Sequence, residues 1–272
     1  MKKLITISRL LLLVCITINS AYSQNTKKTI APTLKTMTDS NHRIYVIQNG
    51  KIMSESGDGS VTYKYNLAGL LESANKYVGY TYNTDGTLKA VIKNPQTINT
   101  TISMFTYTAN NINEKEYSGA NLNLAKPTNE FNYALQNGLI VSKTKVGSND
   151  LNTYKYDSLG NMIYYKSEII RPNGKILFRE STYTYDTHPS VENLINRGYF
   201  GNNLKWTYVL LGSSQLMLAN NCLTITYSSN YNSTNVIKTS TTTRTYTYAQ
   251  NGYPASVSQG TGGNIITTYY GY

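Results

Sequence analysis

From about residue 41 to the C-terminus, apolar and polar residues alternate in short runs separated by Asn, Asp and Gly. One phrase recurs within that alternation: two aromatic residues flanking a polar one, then, in complete copies, Asn or Asp, two more residues and Gly. It reads Tyr63-Lys-Tyr65-Asn-Leu-Ala-Gly69, Tyr80-Thr-Tyr82-Asn-Thr-Asp-Gly86 and Tyr154-Lys-Tyr156-Asp-Ser-Leu-Gly160. A late copy, Tyr246-Thr-Tyr248-Ala-Gln-Asn-Gly252, keeps the Gly spacing, and partial copies begin at Phe105-Thr-Tyr107, Phe131-Asn-Tyr133 and Tyr183-Thr-Tyr185. The residues between the aromatics are Lys64, Thr81, Thr106, Asn132, Lys155, Thr184 and Thr247, all polar. Side chains two apart share a strand face, so each phrase predicts an antiparallel strand with a packed aromatic face and a wet polar one.

The residues just after each aromatic pair predict a turn. Asn66, Asn83, Asp157 and Asp186 can bond their side chains to backbone two residues on. Gly69, Gly86, Gly160 and Gly252, with Asn111 in a fifth copy, stand where a left-handed residue would close a hairpin loop ending in a G1 bulge. In the copy at Tyr133 the Gly comes one place late, at Gly138; in the copy at Tyr185, Pro189 takes its place, so that connection must be built differently. Successive phrases are separated by 17, 25, 26, 23, 29 and 63 residues. A solenoid needs a fixed period, so the unequal spacing predicts consecutive hairpins instead. The expected fold class is all-β: an antiparallel meander of roughly 12–16 strands, curved into an open or closed barrel.

Three segments depart from this pattern. Residues 1–23 carry Lys2, Lys3 and Arg9, an apolar run from Leu10 to Ile18, and Ala21-Tyr22-Ser23 before Gln24. That is a secretory signal peptide cleaved near Ser23/Gln24, too short for a membrane span, with export to periplasm or medium. Cys15 raises a lipoprotein alternative, although Val14 precedes it where a small residue is expected and the apolar run continues beyond it. Residues 24–40 are polar and patternless and read as a flexible leader. Residues 41–272 then form a single Tyr-rich domain. Within it, 187–221 alternates less, holds Trp206, and reads as an insertion capping the aromatic face of the sheet.

Composition narrows the chemistry. Tyr occurs 26 times, and Lys plus Arg (25) exceed Asp plus Glu (14) for a formal charge of +11, of which +8 remains without residues 1–23. The cations are scattered and form no run, so no nucleic-acid partner is expected. Cys222 is the one cysteine left after residue 23, which rules out an internal disulfide; it lies in an alternating strand and reads as a small buried hydrophobe.

The stretch Tyr154-Lys-Tyr-Asp-Ser-Leu-Gly-Asn161 resembles the YD repeats of Rhs-type proteins, though an encapsulating shell needs many more copies. The chain also resembles a secreted Bacteroidetes family of unknown function with a porin-like fold. Gly198-Tyr-Phe-Gly201 ahead of the closing strands and the late hairpin Tyr246-Thr-Tyr248 with Gly252-Tyr-Pro254 carry that likeness, which spans most of 40–272. The resemblance implies a curved or closed antiparallel sheet and brings no catalytic residues.

Catalytic groups are sparse. His42 and His188 are the two histidines, with no metal-ligand spacing and no Ser-His-Asp order. No pair of acids stands out for glycoside hydrolysis. Asp58, Asp85, Asp157 and Asp186 sit at turns singly rather than as a calcium loop. No catalytic residue, metal ligand or cofactor is therefore assigned. Exposed tyrosines and Trp can stack on sugar rings, which makes Tyr164, Tyr199, Trp206, Tyr231 and Tyr253 the candidates for ligand contact. The expected function is a secreted or periplasmic non-catalytic protein that binds or scaffolds at the cell envelope, compatible with a glycan ligand. The alternatives are an outer-membrane β-barrel, suggested by the alternation Ile266, Thr268, Tyr270, Tyr272 at the chain end, and third an envelope hydrolase. A membrane span is not expected, since the aromatic face is interrupted by Ser103, Asn129, Asn152, Ser181 and Arg244.

Overall fold

The computed structural model describes residues 32–39, 43–56, 60–95, 97–119, 123–200, 210, 219–231, 237–261 and 264–272. They form strands β1 (Thr36–Asp39), β2 (Ile44–Gln48), β3 (Lys51–Glu55), β4 (Val61–Tyr65), β5 (Leu71–Ala74) and β6 (Val78–Tyr82). Next come β7 (Leu88–Lys93), β8 (Thr101–Tyr107), β9 (Asn111–Ser118), β10 (Asn129–Gln136), β11 (Leu139–Lys145) and β12 (Leu151–Tyr156). After β13 (Met162–Ile170) and β14 (Ile176–Pro189), helix α1 (Val191–Phe200) interrupts the meander before β15 (Asn220–Ser229), β16 (Lys238–Tyr248), β17 (Pro254–Thr261) and β18 (Asn264–Gly271). Each strand from β2 onward pairs antiparallel with its successor, as in Phe131↔Glu114 between β10 and β9. Strand β1 pairs with both β18 (Met37↔Tyr270) and β2 (Met37↔Tyr45), which closes the barrel.

Among the described residues this is the expected meander, closed, with eighteen strands rather than 12–16. One of the added strands lies in the segment read as leader. Lys35 N–H donates to Gly271 O, Leu34 is buried, and β1 seals the seam, so the leader reading fails for 34–39. A segment without apolar periodicity becomes a strand here because it completes two ladders at once.

The complete phrases build identical hairpins. Asn66, Asn83, Asp157 and Ala249 each accept from the Gly three places on and donate to the residue four places on. Those glycines, Gly69, Gly86, Gly160 and Gly252, have φ between 76° and 87°. The copy at Tyr133 closes through Asn137 and Gly138, both left-handed. Asn111 does not take that role. It opens β9 with its carbonyl bonded by Thr108 N–H (2.8 Å), so the turn lies one place earlier than expected.

All these turns gather at one end of the barrel, the phrase end, and the aromatic pairs point into the lumen. Tyr133, Tyr154, Tyr183 and Phe105 pack there with Leu88, Val91, Ile112, Ile140 and Met162, while Lys64, Thr81, Thr106, Asn132, Lys155, Thr184 and Thr247 are exposed on the outer wall.

At the phrase end the second Tyr of five phrases reaches back to the preceding hairpin. Tyr65 OH donates to Ile52 O (2.7 Å), Tyr82 to Leu71 O (2.6 Å), Tyr107 to Leu88 O (2.6 Å) and Tyr156 to Ile140 O (2.9 Å). Tyr185 does the same to Met162 O and the terminal Tyr272 to Pro254 O. Every acceptor lies two places after a turn Gly, is buried, and sits beside a bulge. Between hairpins the ladder has already stopped there: β7 and β8 pair no further than Ala90↔Met104, two residues short of Leu88. The phenol thus replaces the missing rung and satisfies a buried carbonyl.

Helix α1 closes this end from inside. Ser190 Oγ caps it, accepting from Asn193 N–H (3.3 Å). Gly198 lies against the β2–β3 turn, where an added Cβ would come within 3.0 Å of Gly50 O. Phe200 packs on Leu71 and meets Tyr80 edge-on at 5.8 Å. Within the segment expected as a capping insertion, 187–221, the described residues form the end of β14, helix α1, the buried Leu210 and the start of β15.

Candidate functional site

Polar groups gather at several places in the barrel, among them the half-buried Arg244–Glu192 ion pair (3.5 Å) and the three that follow. The first is where β14, α1 and β15 meet. Asp186 accepts from Tyr248 OH and from Asn221 N–H (3.1 Å), and His188 stacks on Tyr248 at 3.9 Å. His188 Nδ1 lies 3.2 Å from Gly252 O, and the ring is half-buried. Asn161 joins Asp157 (2.8 Å) to Asn220 (3.0 Å). These bonds fasten the helix entry to three strands. A cleft of about 450 Å³ opens beside them, lined by Asn193, Leu194, Arg197 and Tyr253 among others.

The second place is a closed cluster. Tyr133 OH donates to Glu114 Oε2, and Lys143 Nζ is 3.4 Å from the same oxygen and 4.0 Å above the Phe131 ring. Burial first, then the Glu114 charge, holds the Tyr133 phenol far above its ordinary range. Each group satisfies another, so the cluster reads as core.

The third place is the opposite end of the barrel, at the β13–β14 hairpin. Its turn repeats the phrase geometry: Arg171 N–H donates to Lys175 O (2.9 Å), Gly174 N–H to Arg171 O (2.9 Å), and Lys175 N–H to Asn173 Oδ1 (3.0 Å). Leu177 and Arg179 share a face of β14 with Tyr183, by the pairings Ile169↔Leu177 and Ser167↔Arg179, while Arg171 and Lys175 stand in the turn beyond the paired strands; Arg171 and Arg179 are exposed at this rim. The carboxylates fall on the other face, where Glu168 bridges to Lys166 (2.8 Å) and Glu180 accepts from Tyr164 OH (3.2 Å). Asn230 clamps the end of β15 onto β14, accepting from Phe178 N–H (2.7 Å) and donating to Ile176 O (3.0 Å). This places Tyr231 over Arg179, whose guanidinium lies 4.0 Å from the ring centre. The resulting cleft, about 520 Å³, is lined by Arg171, Pro172, Asn173, Lys175, Leu177 and Tyr231.

Of the residues expected to contact ligand, Tyr231 and Tyr253 line clefts, but at opposite ends of the barrel. Tyr164 lies on the outer wall beneath Lys155. Tyr199 corrects the expectation: it packs 5.4 Å from Tyr63 and 5.9 Å from Phe200, and burial drives its phenol well above the ordinary value. Its place on the inward side of α1 could not be seen from a segment without strand alternation. Trp206 lies outside the described residues. Sequence reasoning missed Arg171, Lys175 and Arg179, which looked scattered; extending the period of two from Tyr183 back along β14 would have put Arg179 on the Tyr183 face and Glu180 on the other. Cys222 is buried, its thiol pushed up to about 11 by desolvation. Among the described residues no three His, Cys, Asp or Glu side chains are grouped to hold a metal, and no helix is long and apolar enough to cross a membrane.

No family model and no curated protein matches the sequence. Among solved structures the chain is similar to a porin-like protein from Bacteroides vulgatus ATCC 8482 (12% identity, TM-score 0.41, 89% of this chain and 99% of that one). A porin-like protein from Bacteroides uniformis ATCC 8492 is similar at 14% identity and TM-score 0.33, over 88% and 97%. TcdB2-TccC3-TEV is similar at 15% identity and TM-score 0.31, over 79% of this chain and 12% of that one.

Proposed function

We propose that this chain is a secreted, non-catalytic binding or scaffold protein of the cell envelope, built as a barrel that stands in water. The observation that carries the reading is the outer wall. A lipid-facing wall must be apolar at every second position through a band of each strand, and a midplane Lys or Arg costs about 2–4 kcal/mol. Here those positions hold Lys64 and Lys155 and runs of hydroxyls that bond across strands: Thr184 with Thr224 (2.6 Å), Thr226 with Thr241 (3.1 Å), Ser228 with Thr239 (3.1 Å) and Thr247 with Ser256 (2.7 Å). The aromatic pairs of the phrases face the lumen, as do Tyr270 and Tyr272, which supports reading the terminal alternation as packing rather than lipid contact. A non-catalytic role is supported by the internal polar clusters, whose acids and amides bond to one another.

Fractionation tests this directly. The protein should be recovered without detergent, by osmotic shock or from the medium, and should not form conducting pores in planar bilayers. Recovery only from detergent-extracted outer membrane, with heat-modifiable gel mobility, would replace the reading with a membrane barrel.

A further inference from the structure

We propose that the cleft at the β13–β14 hairpin binds a short acidic oligosaccharide, with Arg171 and Lys175 receiving its carboxylates and Tyr231 its ring face. The inference rests on the reading of the chain as a binding protein and gives that reading a ligand class.

Three observations carry it. First, the hairpin separates charge: Arg171 and Lys175 at its turn and Arg179 on the Tyr183 face of β14 stand apart from Glu168 and Glu180, which are engaged on the other face. Among the described residues no carboxylate pairs with these three cations. Cations close together on a low-dielectric wall attract an anion and offer charge-assisted hydrogen bonds to its oxygens. Second, the cleft is built before a ligand arrives. The turn fixes Arg171 and Lys175 across from each other, the Asn230 clamp fixes the end of β15, and Arg179 stacks on Tyr231. A preformed site loses less ordering entropy on binding. Third, about 520 Å³ is far more than an inorganic anion needs and lies within the usual range for small-ligand sites. Leu177 and the Tyr231 ring give the remainder an apolar surface, which suits the C–H faces of pyranose rings.

The test is calorimetric titration of the secreted protein with trigalacturonate, maltotriose and inorganic phosphate, at low and high salt. Trigalacturonate should bind at least tenfold more tightly than either other probe and weaken as salt rises. The double variant Arg171→Gln/Lys175→Gln should lose at least tenfold in affinity. Its charge-matched control, Lys64→Gln/Lys155→Gln on the outer wall, should stay within twofold. Tyr231→Ala should weaken trigalacturonate without creating phosphate binding, with thermal melts confirming that each variant is folded. Equal affinity of the two double variants, phosphate binding as tightly as trigalacturonate, or no binding by the unaltered protein would each overturn the proposal. Any of these with the protein still recovered without detergent removes the ligand alone; the fractionation result judges the broader reading.

Discussion

At the second aromatic position of each phrase the hydroxyl matters alongside the ring. Tyr82 and Tyr156 each satisfy a buried carbonyl that no ladder reaches, on Leu71 and Ile140. Replacing either by Phe should keep the ring and strand that acceptor, at a cost of about 1–3 kcal/mol. Tyr80→Phe, at a first position whose hydroxyl makes no such bond among the described residues, should cost much less. Urea unfolding of the three variants checks this, and equal losses at both positions would refute the assignment. The asymmetry was on view in the sequence, because Phe105 and Phe131 occupy first positions while all seven second positions are Tyr. Its meaning was not, since the acceptors lie in other hairpins. Cys222 gives a second residue-scale expectation: buried, with its thiol held up to about 11, it should resist thiol reagents until the barrel unfolds.

Among elements, the turns and the helix respond to side chains for different reasons. Gly160 is left-handed with open space where a Cβ would stand, so Gly160→Ala should cost about 1–2 kcal/mol through backbone strain alone. Gly198 has ordinary helical backbone but lies against Gly50 O, so Gly198→Val should destabilise by about 1–3 kcal/mol by overpacking, even though Gly is the poorer helix former. Denaturant midpoints for the pair separate the two causes, and a stabilised Gly198→Val would mean that α1 does not press on the β2–β3 turn. The hairpins were legible because their signals are local. The helix was less so: Val191–Phe200 was expected only as part of an irregular insertion, because one short amphipathic turn sequence carries little periodic signal.

For the whole molecule, the inward phenols tie stability to alkaline pH. Burial pushes Tyr63 up to about 12, and Tyr65, Tyr82, Tyr107, Tyr154 and Tyr246 higher still. Below about pH 10, the ordinary phenol value, folded and unfolded chains are equally protonated at these sites. Above it the unfolded chain loses protons first, so stability falls as pH rises, through the folded value of about 12 for Tyr63. Phenolate absorbance should therefore appear mostly in one cooperative step coincident with the loss of the far-ultraviolet β signal. Independent titration of nearly all tyrosines near pH 10, with the fold intact, would contradict the inward placement.

Strand faces, hairpin positions and the antiparallel meander are local consequences of alternation and of turn residues such as Asn66 and Gly69, and the sequence by itself determined them. Closure was decided only in three dimensions, because Thr36–Asp39 has no pattern of its own and becomes a strand by pairing with β18 and β2. The direction of the aromatic face was likewise settled by closure: a period of two says that Tyr63 and Tyr65 share a face, and only a closed sheet says which face is the lumen. The cleft at the β13–β14 hairpin depended on both. The hairpin turn brings Arg171 and Lys175 together and alternation along β14 sets the face of Arg179, while the fold brings Tyr231 to them from more than fifty residues away by pairing β14 with β15. A hydrogen-bond register links segments whose sequence separation leaves no periodic trace, which is why that site could be built but not read.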